Sequence, residues 1–191
     1  ADWWHLRDTR DFNVYASAIV AIGFIWTMKA GLDASLSFHL IGATLLTLMF
    51  GWSFAVIAIS LVISGVTVVQ DGSWSMLALN ILLAGVLPVA VSHVIYRFSE
   101  RKLPPNFFIY IFVCAFFGAA LSMLAVVFAT TMTHYLTDAF TIDYLQYNYY
   151  QYALLIIFPE AFLTGMLMTL FVAYRPHWVS TFDDQRYLRN H

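Results

Sequence analysis

Six apolar runs, at about residues 13–30, 36–50, 54–69, 74–96, 106–131 and 150–173, leave only short polar breaks between them. A transmembrane helix needs about 20 predominantly apolar residues, range roughly 17 to 25, and four of the runs meet that length. The pattern predicts an all-α, polytopic membrane helix bundle that takes up residues 1–191 as a single integral membrane domain. Composition excludes a soluble monomer: 61% of the residues are hydrophobic and 10% charged, against about 25% charged in soluble domains. The single cysteine, Cys114, lies in an apolar run and excludes an intrachain disulfide and any multi-cysteine zinc or iron–sulfur site.

The second and third runs are short and meet at Gly51-Trp52-Ser53, so residues 36–69 could form one very long helix or two short ones. Charge decides between these. Of nine cations, only Lys29 lies away from Arg7 and Arg10, Arg97, Arg101 and Lys102, and Arg175, Arg186 and Arg189. Six crossings put the other eight on one side, whereas five would set Arg97, Arg101 and Lys102 opposite Arg7 and Arg10 and break the positive-inside bias. The reading is therefore six transmembrane helices with a cytoplasmic segment 1–12 and a cytoplasmic tail 174–191. The outer loops are 31–35, 70–73 and 131–149, the last without Lys or Arg.

Local signals fit this frame. Trp3, Trp4, Trp74, Tyr147, Tyr149, Tyr150 and Trp178 sit near run ends, where amphipathic rings favour the interface. Pro104-Pro105 suits a helix start, and Pro88 and Pro159 predict kinks inside runs. Ala115/Ala119, Gly118/Ser122 and Ala161/Gly165 are small-xxx-small pairs that allow close helix approach.

Few side chains can carry chemistry in such a chain. Short, Gly-interrupted apolar segments mark binding regions in membrane proteins, because broken helices open backbone ends to a cavity. His39 stands in such a segment with Gly42 and Ala43 on its face, which makes it either a ligand or a histidine that steadies a helix start. Asn80, about 9 Å below the outer end of the fourth helix, either joins helices or lines the same site. Asp71, in the turn Asp71-Gly72, and His134, in the outer loop with Asp138 and Asp143, are entrance candidates. His93 lies near the opposite end of the fourth helix, much of the roughly 30 Å apolar core away from His39, so the two cannot share one metal ion or one haem iron. His5, His177 and His191 fall on the cytoplasmic side. Glu160 is the only acid deep in a run, to be protonated, paired or solvated there, or else to satisfy groups disturbed by the Pro159 kink. The sequence has no phosphate-binding loop, no H-E-x-x-H pair and no G-x-S-x-G turn. This points away from an enzyme, and ATP-driven transport would need a separate ATPase subunit.

The blocks Phe38-His39-Leu40-Ile41-Gly42-Ala43, Phe50-Gly51-Trp52, Asp71-Gly72-Ser73, Leu77-Ala78-Leu79-Asn80 and Gly85-Val86 occur in that order, followed by Pro159-Glu160-Ala161, Thr164-Gly165 and Arg175-Pro176. The combination resembles the CbiM/NikM family, the substrate-capture membrane components of energy-coupling-factor transporters for cobalt and nickel, over about residues 36 to 176. The resemblance implies that His39 matches the family's metal-binding histidine at a helix start, with Asn80 in the matching polar position nearby. It further implies a bacterial or archaeal plasma membrane and a transported divalent cobalt- or nickel-type ion with no intrinsic cofactor. The partners it implies are a transmembrane coupling protein and cytoplasmic ATPases, with no nucleic acid. One departure stands out. The family's extracellular N-terminus carries a Met-His-x-x-Asp-Gly metal-binding motif, which Ala1-Asp2-Trp3-Trp4-His5 does not reproduce. With Ala rather than Met first, the expectation is an upstream segment and a full protein of seven helices. Two other readings differ in class: a haem- or redox-carrying membrane subunit, and a non-transporting membrane scaffold.

Overall fold

The computed structural model describes residues 9–27, 30–33, 36–38, 40–70, 72–137, 151–183 and 187. In chain order these form α1 (Thr9–Thr27), β1 (Ala30–Asp33), β2 (Leu36–Phe38), α2 (Ala43–Val69), α3 (Trp74–Lys102), α4 (Phe107–Leu136) and α5 (Gln151–Tyr174). Four stretches, Ala43–Val69, Trp74–Lys102, Phe107–Leu136 and Leu155–Tyr174, are long and apolar enough to cross a membrane, and Asp11–Thr27 is a shorter apolar helix. The fold is a membrane helix bundle.

The fold is all-α as expected apart from one short hairpin, and that hairpin corrects the expectation that helix covers 36–50. Leu36–Phe38 is a strand, paired antiparallel with Ala30–Asp33 so that Ala30 faces Phe38 and Asp33 faces Leu36. Helix begins only at Ala43, behind Gly42 at φ 69°, a left-handed conformation that no helix continues through.

Residues 43–69 are one apolar stretch broken at Gly51, where φ is 79° and ψ 173°. That combination is open essentially to glycine alone. Past the break, α2 runs antiparallel to α3: the Trp52 and His93 rings lie 5.7 Å apart, and a Cβ on Gly85 would meet Ile59 Cγ2 at 3.1 Å. Were α2 straight, the 15 residues from Ile59 back to Thr44 would carry Thr44 about 22 Å along the axis, far past His93, at 1.5 Å per residue. Instead Thr44 Oγ1 lies 2.6 Å from Ser92 Oγ. Gly51 therefore reverses the chain, and residues 43–50 form a half-helix that starts in the middle of the bundle.

The half-helix ends against the segment that follows α5. Ser180 N donates to Met49 O at 2.9 Å, and Thr181 donates to Leu48 O through its backbone N–H at 3.4 Å and its hydroxyl at 2.7 Å. These donors satisfy carbonyls that any helix end leaves open. The Thr181 hydroxyl also lies 2.7 Å from the OH of fully buried Tyr110, and Tyr96 OH donates to Thr181 O at 3.3 Å. Leu48, Met49, Tyr110, Met168, Val172 and Phe182 pack together here, beside the Arg101–Lys102 end of α3. Arg175, just past α5, lies at the same end of the bundle, and the first half of α1 reaches toward it as Tyr15 OH donates to Phe54 O at 2.8 Å.

Several local expectations meet their structural outcome. A π-helical stretch, Ile81–Val86, comes directly before Pro88, where a missing N–H breaks the ordinary ladder. Pro104-Pro105 does not open α4; Asn106 caps it, its side chain accepting Phe108 N at 2.8 Å. The small-residue pairs Ala115/Ala119, Gly118/Ser122 and Ala161/Gly165 are all buried, and Gly165 sits against Phe116, where a Cβ would be 3.5 Å from the ring side chain. Trp74 is exposed and Trp178 half-buried, while Trp3, Trp4, Tyr147, Tyr149 and Tyr150 of the expected aromatic belt lie outside the described residues or have no described side chain.

Candidate functional site at the head of the half-helix

The first turn of any helix presents backbone N–H groups without intrahelical partners and a partial positive charge. At the head of the half-helix the N–H groups of the N-cap Gly42 and of Ile41 just before it are met by an acid from α5. Glu160, 4% exposed, accepts from Ile41 N through Oε2 and from Gly42 N through Oε1, each at 2.8 Å. A carboxylate has the acceptor capacity for such a two-point grip, and charge-assisted bonds of this kind are about twice as strong as neutral ones. This is how the chain keeps an acid inside an apolar bundle. The alternative role for Glu160, satisfying groups freed by Pro159, is corrected by the same bonds, since both oxygens reach across to another element. From α1, Trp26 Nε1 donates to Ile41 O at 3.2 Å, and Leu46 N closes the first helical turn on Gly42 O at 3.1 Å. Three elements thus hold the backbone of residues 41 and 42.

Two residues further on, Thr44 of α2, Ser92 of α3 and Ser122 of α4 form a buried hydroxyl triangle, with Thr44–Ser92 at 2.6 Å, Ser92–Ser122 at 2.7 Å and Thr44–Ser122 at 3.4 Å. Ser92 also lies 2.8 Å from Pro88 O, one of the backbone acceptors around the proline. Hydroxyls sunk in an apolar interior need such partners. Gly118 next to Ser122 permits the approach, since a Cβ there would stand 3.6 Å from Thr44 Cγ2. The sequence reading missed Thr44 and Ser92. The available signal was a hydroxyl inside each of three separate apolar runs, each too ordinary to notice alone.

The candidate residues from the sequence divide into three groups. Glu160 is brought to the head of the half-helix. His39 and Asp71 lie outside the described residues, as do Asp138, Asp143, His5 and His191. Asn80 is exposed on α3, and His134 is half-buried near the end of α4, away from the Lys102 end of the bundle, its carbonyl accepting from Thr137 Oγ1 at 3.3 Å. His93 is half-buried beside Trp52 and Tyr96, and His177 is exposed beside Trp178. Among the described residues no three His, Cys, Asp or Glu side chains gather into a group that could hold a metal ion.

A multi-pass helix bundle with a broken helix, whose head is pinned in the interior by a buried acid, defines an integral membrane protein built around an internal polar site. The chain belongs to the CbiM family: the family model described as cobalt uptake substrate-specific transmembrane region matches residues 4–178. No curated protein and no solved structure matches it. The match extends the resemblance seen over residues 36 to 176 through the whole of α1, and it makes the chain a membrane component of cobalt uptake in place of a haem carrier or scaffold.

Proposed function

We propose that this chain is the metal-capturing subunit of an energy-coupling-factor transporter, binding a divalent cobalt- or nickel-type ion as substrate and passing it inward when partner ATPases act through a transmembrane coupling protein. Family membership supplies the substrate class. The single observation that carries the site is the three-way immobilisation of the backbone at Ile41 and Gly42, two and three residues after His39. A metal ligand must be held to a fraction of an ångström, and a backbone fixed two residues further along the chain supports this reading. A neutral imidazole suits these ions. Asp71 and His134 are proposed as approach residues from the outer side. Asn80, exposed on α3, is proposed to act on the site only through residues between them.

Six passages with both ends cytoplasmic agree with the reversal at Gly51: α1 and residues 43–50 form one in-and-out pair, and the remaining helices alternate. Arg97, Arg101, Lys102 and Arg175 then share the inner end. In this arrangement the plasma membrane of a bacterium or archaeon is the setting, and the head of the half-helix faces outward from mid-bilayer.

The test is a cobalt and nickel titration of the full-length protein in detergent. His39→Ala is expected to lose most binding while remaining folded, and His93→Ala to bind as the wild type does. Wild-type affinity in His39→Ala ends the assignment.

A further inference from the structure

We propose that residues 175–183 are an inner gate, a strap that closes the cytoplasmic end of the ion's path along the half-helix and is lifted when the partner ATPases act; this goes beyond the transport reading above and rests on it. The C-terminal pole of a helix carries carbonyls without intrahelical partners and a partial negative charge, and in broken membrane helices such an end receives cations. Here the strap occupies that pole. Ser180 N donates to Met49 O at 2.9 Å, and Thr181 gives Leu48 O both its N–H, at 3.4 Å, and its hydroxyl, at 2.7 Å. With that hydroxyl proton committed, Tyr110 OH is the donor in its 2.7 Å bond with Thr181 Oγ1. Phe182 completes the closure, its ring 5.1 Å from that of Tyr110, which is left without exposed surface. Toward the other pole, the buried hydroxyls of Thr44, Thr47, Ser92 and Ser122 stand on the half-helix or against it. A file of oxygens therefore runs beside this one element, from Glu160 at its head to Thr181 at its tail.

Two observations make the strap a movable part and not a fixed floor. It leaves α5 at Arg175 and holds one short turn, Pro176–Trp178, so lifting it breaks no helix of the bundle. Its closed position also strands a donor. Among the described residues, Trp178 Nε1 is the buried side-chain polar atom that has no hydrogen-bond partner, with its ring 5.7 Å from that of Phe171. A buried, unpaired N–H disfavours the state that buries it. The bonds that hold the strap shut are thus opposed by one group that gains a partner when the strap lifts toward water. Closed, the strap caps the pole; lifted, it leaves the Leu48 and Met49 carbonyls to the departing ion.

The test uses the full-length protein with its coupling protein and ATPases, in inside-out vesicles loaded with cobalt chloride. Val179, 2% exposed in the closed strap, becomes the reporter as Val179→Cys in a Cys114→Ala background. Labelling by a membrane-impermeant maleimide is expected to rise several-fold on addition of ATP, whereas a fixed floor would label equally slowly with and without it. Trp178→Phe removes the stranded donor and favours the closed strap. It is expected to lower ATP-driven labelling about tenfold and cobalt uptake by cells with it, while cobalt binding in detergent stays at the wild-type level. Cobalt uptake by the wild type with labelling that ignores ATP overturns the gate and leaves the capture reading standing, and wild-type labelling and uptake in Trp178→Phe likewise overturn it. A wild type that neither binds cobalt nor takes it up overturns both. Should Val179→Cys fail to fold, Phe182→Cys reports from a second buried position of the strap, with the same outcomes.

Discussion

Replacing Gly51 by alanine isolates the conformation that divides the half-helix from the rest of α2. At φ 79° and ψ 173° an L-residue is strained, and holding a residue in such a region costs about 1–3 kcal/mol. No collision adds to this, because a Cβ at Gly51 would meet only Ser180 Oγ, at 4.0 Å. Alanine also favours the competing continuous helix by roughly 1 kcal/mol relative to glycine. The two effects act in one direction, so Gly51→Ala is expected to destabilise the native bundle by about 2–4 kcal/mol. Gly65, farther along the same helix, is the internal control: a Cβ there meets nothing within 4 Å and φ is unexceptional, so Gly65→Ala is expected to be neutral or stabilising. Unfolding of both variants in mixed micelles, followed by circular dichroism, measures the difference. Equal stability of Gly51→Ala and Gly65→Ala would refute the argument that a glycine-only backbone conformation makes the reversal.

Thr181→Val keeps the side chain's shape but removes the hydroxyl that serves Leu48 O and Tyr110 OH. With Tyr110 fully buried, a loss of about 1–3 kcal/mol is expected in the same unfolding assay, much of it recovered when Tyr110→Phe removes the stranded partner. For sidedness, cysteines at the exposed positions Ser73 and Thr137 are expected to react with an impermeant thiol reagent applied to intact cells, and one at exposed Arg101 is not. Labelling at Arg101 from outside would contradict the proposed orientation.

What the linear chain settles is what depends on length and on local chemistry. Apolar runs long enough for a bilayer announce a membrane helix bundle, and the glycine at 51 is visibly a place where one helix or two had to be chosen. The ordered blocks around His39, Gly51 and Glu160 carry the family, which matches residues 4–178. The strand at Leu36–Phe38 was not legible, because an apolar stretch of that length reads equally as a helix start until its pairing with Ala30–Asp33 is known. Nor was the partner of Glu160, since Ile41 lies 119 residues away and only packing of α5 against the head of α2 brings them together. The hydroxyl triangle joins residues 30 to 78 positions apart for the same reason. Local sequence sets which segments leave water; which polar groups meet inside is decided by tertiary structure alone, because an apolar interior forces each buried donor and acceptor to find its partner wherever the fold has carried one.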